Sequence, residues 1–201
     1  MRIALIRHGQ TIGNLYKAYI GRTDQPLCEE GKVDLLRRKR SGTYPPVDHL
    51  FSSPMLRCLQ TAAILYPKQA YVQVPQLVER DFGLLEGLNH QEITAKPGFE
   101  GWGKTAESMV FPGGESWEEF AERSCMGFLE AVRATALLNL QTMGIICHGG
   151  TIMAIMNRYA DAGAEPHQWQ CEAGCGYVLQ TDSRLQHVRV SRRISPPVRM
   201  Y

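Results

Sequence analysis

Apolar residues in this chain fall into short runs and helix-spaced stripes that alternate along its length. The run "RIALI" (Arg2 to Ile6), closed by Arg-His-Gly, reads as a buried first strand. "EEGKVDLLRRKR" has helical composition, with Val33, Leu35 and Leu36 available for a buried face. "VDHLFSS" (Val47 to Ser53) predicts a second strand. Ser53 and Pro54 then read as N-cap and first position of a helix, "PMLRCLQTAAILY". "AYVQVPQLVE" (Ala70 to Glu79) alternates like a third strand, and "NHQEITAKP" reads as a short helical stretch ended by Pro97. Ser116 and Glu119 form a capping-box pattern ahead of a long helix, on which Phe120, Phe128 and Val132 lie close to helical spacing. "MGIICHGG" (Met143 to Gly150) predicts another buried strand and "TIMAIMNRYA" a short amphipathic helix. "GYVLQTD" and "LQHVRVS" look like two late strands joined by a tight turn at Asp182-Ser183.

Strands alternating with helices predict a three-layer α/β/α sandwich. Its central sheet is expected to be mostly parallel, with an antiparallel edge from the late hairpin. No repeat, low-complexity tract or linker divides the chain, and its 201 residues suffice for one buried core, so a single domain over 1–201 is expected. The net charge of +2 is too small to favour nucleic acid or an anionic membrane as a partner. The one basic run, Arg37 to Arg40, ends a predicted helix, where cations suit the helix dipole. The six cysteines include no C-x-x-C pair, and the first apolar run is too short for an export signal. Reduced thiols in the cytoplasm are therefore expected. A zinc site from Cys171, Cys175 and histidines has poor spacing, so neither a metal nor another cofactor is expected.

One octet, "GFEGWGKT" (Gly98 to Thr105), fits the phosphate-loop pattern letter for letter. That loop works only between a buried strand and a helix. Here a helical stretch precedes it and Pro112-Gly113-Gly114 follows closely. The match is fortuitous.

The more informative layout occurs twice, as an apolar strand followed by His-Gly: "ALIRHG" with His8 and "GIICHGG" with His148. Sites in open α/β sheets form outside the carboxyl ends of strands, so parallel neighbours would bring both imidazoles to one rim. Gly149 and Gly150 would open a helix there, a natural anion seat. Arg7 adjoins His8, and Arg57 lies about one turn into the helix after the second strand. Guanidinium groups grip phosphate oxygens. Glu79, at the end of the third apolar run, is a candidate proton donor.

These residues together resemble the histidine phosphatase superfamily, also called phosphoglycerate mutase-like. "RHGQTIGN" is similar to its first signature, "SSPMLRCLQTA" to its second arginine motif, "ERDFGLLEG" to its acid motif and "CHGG" to its second-histidine motif. "GRTDQPLCEEG" and "PGGESWEEFAER" resemble segments of its small bacterial phosphatases, and the motifs follow the family's order. The resemblance implies a metal-independent phosphomonoesterase acting on a small phosphorylated metabolite. It makes His8 the nucleophile, has Arg7, Arg57, His148 and Asn14 hold the phosphoryl group at Gly149, and makes Glu79 the acid and then the base. It also implies a variable cap over residues about 80–115, with Gly21, Arg22, Trp102 and Lys104 as candidates to face the substrate.

Rival chemistries are narrower. Cysteine phosphatases need arginine six positions after the cysteine, and those positions hold Asp34, Ile64, Ala131, Met153, Tyr177 and Thr181. A phosphoglycerate mutase is the alternative within the family, but the resembling mutases carry extra sequence after the acid motif. A non-catalytic binding protein on the same scaffold would be expected to have lost the nucleophile or an arginine. The "ERDFGLLEG" and "PGGES" segments are most similar to α-ribazole phosphatase-like proteins, which makes α-ribazole 5′-phosphate the substrate to test first.

Overall fold

The unbroken apolar run at the start of the chain becomes β1 (Arg2–Arg7), buried from Ile3 to Ile6 as a strand covered on both faces must be. In this computed structural model, residues 1–104, 109–160, 166–181 and 187–195 are described. Five further strands join β1: β2 (His49–Ser52), β3 (Tyr71–Gln73), β4 (Thr142–Cys147), β5 (Gly176–Thr181) and β6 (Val188–Ile194). The sheet order is β3-β2-β4-β1-β5-β6. The pairs β3–β2, β2–β4 and β4–β1 are parallel, whereas β5 runs antiparallel to β1 and β6 antiparallel to β5.

Alternate residues of β1 enter two different cores. Ile3 and Leu5 pack with Phe128 and Val132 of α5 (Trp117–Leu137) and Ile155 of α6 (Gly149–Tyr159). Ala4 and Ile6 pack instead with Leu35 of α2 (Glu29–Arg40) and with Cys58 and Ala62 of α3 (Leu56–Leu65). Period two on one strand thus produces the three layers. The remaining helices are short: α1 (Ile12–Leu15) follows β1, and α4 (His90–Thr94) precedes the octet. The Ser116–Glu119 capping box forms as read, with reciprocal bonds of 3.0 and 3.1 Å. A third apolar cluster gathers Leu85, Ile93, Trp102 and Phe111, with Tyr19 and Phe82 against it. Among the described residues no helix is long and apolar enough to cross a membrane.

Three expectations need correction. The third strand stops at Gln73, because Pro75 lacks a ladder donor and opens a 3₁₀ turn over Pro75–Leu77. Ser53-Pro54 does not cap α3. Its first residue is Leu56, whose N–H goes to Asp24 Oδ1 at 2.7 Å. On α2, Val33 and Leu36 are 64% and 41% exposed. The buried stripe is Gly31, Leu35 and Arg38, since Arg38 finds Asp34 and the Cys175 sulfur inside. As expected, the octet forms no phosphate loop, for α4 and a turn precede it directly. The expected turn at Asp182-Ser183 lies outside the described residues.

Phe128→Ala is expected to cost about 3–5 kcal/mol in urea unfolding, and Val33→Ala to stay within about 0.5 kcal/mol. A comparable loss in both would mean that α2 presents the opposite face to the sheet.

Candidate active site

β1 and β4 pair in parallel with Arg7 opposite Cys147, so the next residues, His8 and His148, leave neighbouring strands at one level. Their ring centroids are 5.2 Å apart. A cavity of about 570 Å³ opens at these carboxyl ends, lined in part by Arg7, His8, Asn14, Glu79, Gly149 and Gly150. The rim read from the sequence therefore exists, and it belongs to a cavity.

His8 is buried, and its Nδ1 stands 2.6 Å from the Gly9 carbonyl. A carbonyl can only accept, so Nδ1 carries the proton and Nε2 keeps a bare lone pair. Burial holds its pKa well below 6.5; the Arg57 charge and then that of Arg7 add to this, while the Gly9 bond opposes it. The neutral imidazole is thus presented in one tautomer. The Gly9 N–H is in turn fixed on Thr61 Oγ1 at 3.0 Å.

Behind His8 lie Arg57 and His148, both fully buried and neither part of the cavity lining. Arg57 Nε–H donates to His148 Nδ1 at 3.2 Å, leaving the His148 proton on Nε2, 2.8 Å from Ser53 Oγ. Ser53 was read as a helix cap; it serves instead as the partner of the second histidine. Burial, then Arg57 and His8, hold the His148 pKa well below its ordinary value. The other Arg57 bonds go to backbone: NH1 to Thr23 O at 2.9 Å, and NH2 to Gly21 O at 2.8 Å and Ile20 O at 3.5 Å. Arg7 NH1 donates to the Cys171 carbonyl at 2.6 Å, and its Nε is buried with no partner among the described residues.

Glu79 reaches the cavity just beyond the 3₁₀ turn that replaced the end of the third strand. Its two oxygens accept the Arg80 and Gly150 N–H groups at 2.9 and 3.0 Å. Burial raises its pKa, offset in part by those bonds and by Arg57 and Arg7. A Cβ on Gly150 would sit 2.5 Å from Glu79 Oε1, so only glycine lets the carboxyl meet the start of α6. Asn14 spends its Oδ1 on the Thr11 N–H at 3.1 Å, closing the capping box of α1.

The four substrate-facing candidates lie elsewhere. Trp102 is 4% exposed; its indole N–H donates to Val110 O at 2.7 Å, and its ring packs on Tyr19 and Phe111. It is a core residue of the third cluster and does not line the cavity. Lys104 is exposed and also outside the lining. Gly21 is pressed against the Arg80 carbonyl, and Arg22 reaches Glu115 and Asp81. The walls toward the third cluster come from Tyr19 and Phe82, with Lys17 beside them at φ 53°. Sequence reasoning missed these three. Lys17 and Tyr19 follow so closely on "RHGQTIGN" that proximity to the signature was the available signal. Among the described residues no group of three potential ligands could hold a metal ion.

The chain matches the histidine phosphatase superfamily (branch 1) over residues 3–192 and belongs to that superfamily. It is 33% identical over 162 residues to 2,3-bisphosphoglycerate-dependent phosphoglycerate mutase 2 of Gloeobacter violaceus, covering 77% of this chain and 73% of that one. It is 32% identical over 168 residues to putative phosphoserine phosphatase 2 of Hydrogenobacter thermophilus, covering 82% and 81%. The alpha-ribazole phosphatase of Shigella flexneri shares the fold at a TM-score of 0.78, covering 98% of this chain and 99% of that one, with 21% identity.

The buried histidines carry a pH signature. Their folded pKa values lie below the unfolded value of 6.5, so below that pH the unfolded chain binds more protons. Their contribution is complete above about pH 6.5 and is lost as pH falls toward the depressed values. Melting temperature should therefore drop more steeply from pH 7 to 5 in the native protein than in His8→Gln. Parallel curves would show that His8 is not held neutral.

Proposed function

We propose that this chain is a metal-independent phosphomonoesterase working through a phosphohistidine at His8. One observation carries the reading: the Nδ1–H bond to Gly9 leaves a bare Nε2 on a neutral imidazole that lines a cavity containing Arg7 and a buried Glu79. The Nε2 lone pair attacks phosphorus, and the phosphorus–oxygen bond to the alcohol breaks as Glu79 gives that oxygen its proton. The Glu79 carboxylate then takes a proton from water, whose oxygen displaces His8 and releases inorganic phosphate.

Arg7 and the Asn14 amide are assigned to the phosphoryl oxygens, with Gly149 at the anion-seating start of α6. Arg57, bonded to His148 through Nε, is assigned a phosphoryl contact through the NH1 proton that Thr23 does not take. For His148, the Nε2–H on Ser53 is the donor a phosphoryl oxygen would take over. Residues about 80–115 are assigned as the cap of a single domain. Their third cluster backs Tyr19 and Phe82, so Trp102 would act on substrate choice through Tyr19. α-Ribazole 5′-phosphate is the substrate proposed first, on the resemblance of the acid-motif segment. Six free cysteines support a reducing, cytoplasmic setting. The Gloeobacter relative's name favours phosphoglycerate mutase as the second reading.

With an aryl phosphate, His8→Ala should lose all measurable turnover, and retained turnover would remove the phosphohistidine. For kcat/KM, activity should rise with pH through the depressed His8 pKa and fall through the raised Glu79 pKa. In Glu79→Gln the alkaline limb should vanish, and the loss should be milder with good leaving groups. Equal loss across leaving groups would exclude Glu79 as the acid. A panel of α-ribazole 5′-phosphate, both phosphoglycerates and sugar phosphates separates the readings: phosphate release marks a phosphatase, phosphoglycerate interconversion a mutase. On that panel Trp102→Ala should reorder substrates more than it changes phosphate inhibition; an unchanged order would reject the cap assignment.

A further inference from the structure

Arg57 stands beside His8 and His148 because a short irregular segment holds it there. The carbonyls of Gly21 and Thr23 accept its two terminal nitrogens at 2.8 and 2.9 Å. The N–H groups of the same two residues have one common partner, Glu86 Oε1, at 2.7 and 2.9 Å. The segment is thus clamped between a guanidinium on its carbonyl side and a carboxylate on its amide side. Neighbouring bonds fix its ends. Tyr19 exchanges backbone bonds with Gly87 and Leu88, and Asp24 takes the first N–H of α3, one residue before Arg57. Sideways relief is blocked at Gly21, where a Cβ would lie 1.9 Å from the Arg80 carbonyl.

We propose that Glu86 is a positioning residue for the reaction. By holding both N–H groups it sets the Gly21–Thr23 segment in the shape whose carbonyls aim Arg57 at His148 Nδ1 and at the phosphoryl group on His8. The inference rests on the phosphatase reading, yet Glu86 itself lies outside the cavity lining and touches none of the reacting atoms. Its hold is an acceptor's, not a charge's. Oε1 makes both bonds, while Oε2 is buried with no partner among the described residues. A glutamine can therefore replace it, with Oε1 kept and the amide placed where no donor opposes it. An aspartate keeps the charge but falls one methylene short.

The test compares Glu86→Gln with Glu86→Asp, using orthovanadate as the probe, aryl phosphate turnover, and ¹⁵N NMR of the His148 ring. Glu86→Gln should stay within about two-fold of the native protein, and Glu86→Asp should bind vanadate about ten-fold more weakly, the scale of one lost buried hydrogen bond. In the native protein and Glu86→Gln, the ring should show a protonated Nε2 and a bare Nδ1; in Glu86→Asp this single tautomer should be lost with the Arg57 bond. On an Arg57→Ala background Glu86→Asp should weaken vanadate no further, because the clamp then has nothing to aim.

Native-like binding in Glu86→Asp, a ten-fold loss in folded Glu86→Gln, or a full additional loss on the Arg57→Ala background would overturn the proposal. If Glu86→Asp does not fold, the Glu86→Gln binding and NMR results decide alone. Failure of the phosphatase reading looks different: the native protein itself would neither turn over nor bind vanadate, while the His148 signature would still report the clamp.

Discussion

The in-register parallel pairing of β1 with β4 is the constraint from which the rest of the site follows. Arg7 opposite Cys147 puts His8 and His148 next to each other, and the His8 N–H continues the ladder onto the Cys147 carbonyl at 2.9 Å. The register is held from both faces, since Ile3 and Leu5 belong to one core and Ala4 and Ile6 to the other. A slip by one residue would exchange those faces and turn Arg7 and His8 to each other's positions. Each methyl packed against β1 therefore also locates the candidate nucleophile.

Around that pair, one physical cause acts in two opposite directions. Desolvation disfavours whichever form is charged, so it lowers the pKa of the buried histidines and raises that of Glu79. The arginines push the histidines further toward neutrality but pull Glu79 back toward the carboxylate. The two N–H bonds to Glu79 also favour the carboxylate, the form the proposed second step would use. Burial with few directed bonds thus suffices to shift an imidazole and a carboxyl group in opposite directions within one cavity.

Much of this was legible in the sequence, because strand ends are written in local patterns. The runs before "RHG" and "CHGG" announced both strands, their glycines announced the helix start, and Arg57 was within reach of the rim although it is the second residue of α3 and not a turn into it. Pattern reasoning failed where tertiary partners overrode it. Pro75 broke a run whose alternation continued past it; Ser53 looked like a cap but had a histidine to hold; and Leu36 looked like core on a helix that buries Arg38. Trp102 looked like a substrate-facing residue because it lies in the segment where the resembling family places its cap. Its burial depends on Tyr19, Phe111 and Val110, contacts that no spacing along the chain encodes.

The least legible part is the connection from Gly9 to Cys28, which is mostly irregular and still lies against the cavity. Its backbone cannot satisfy itself as a helix or strand would, so its polar groups need outside partners. Side chains distant in sequence supply them: Thr61 takes the Gly9 N–H, Gln60 that of Leu27, Glu86 those of Gly21 and Thr23, and Arg57 the carbonyls. From sequence alone Gln60, Thr61 and Glu86 would pass for solvent-facing polar residues on α3 and on the loop after Gly83. Here they determine the course of the backbone that surrounds His8. A polar residue facing an irregular segment beside such a cavity should therefore be weighed as part of the site, even when it lies outside the lining.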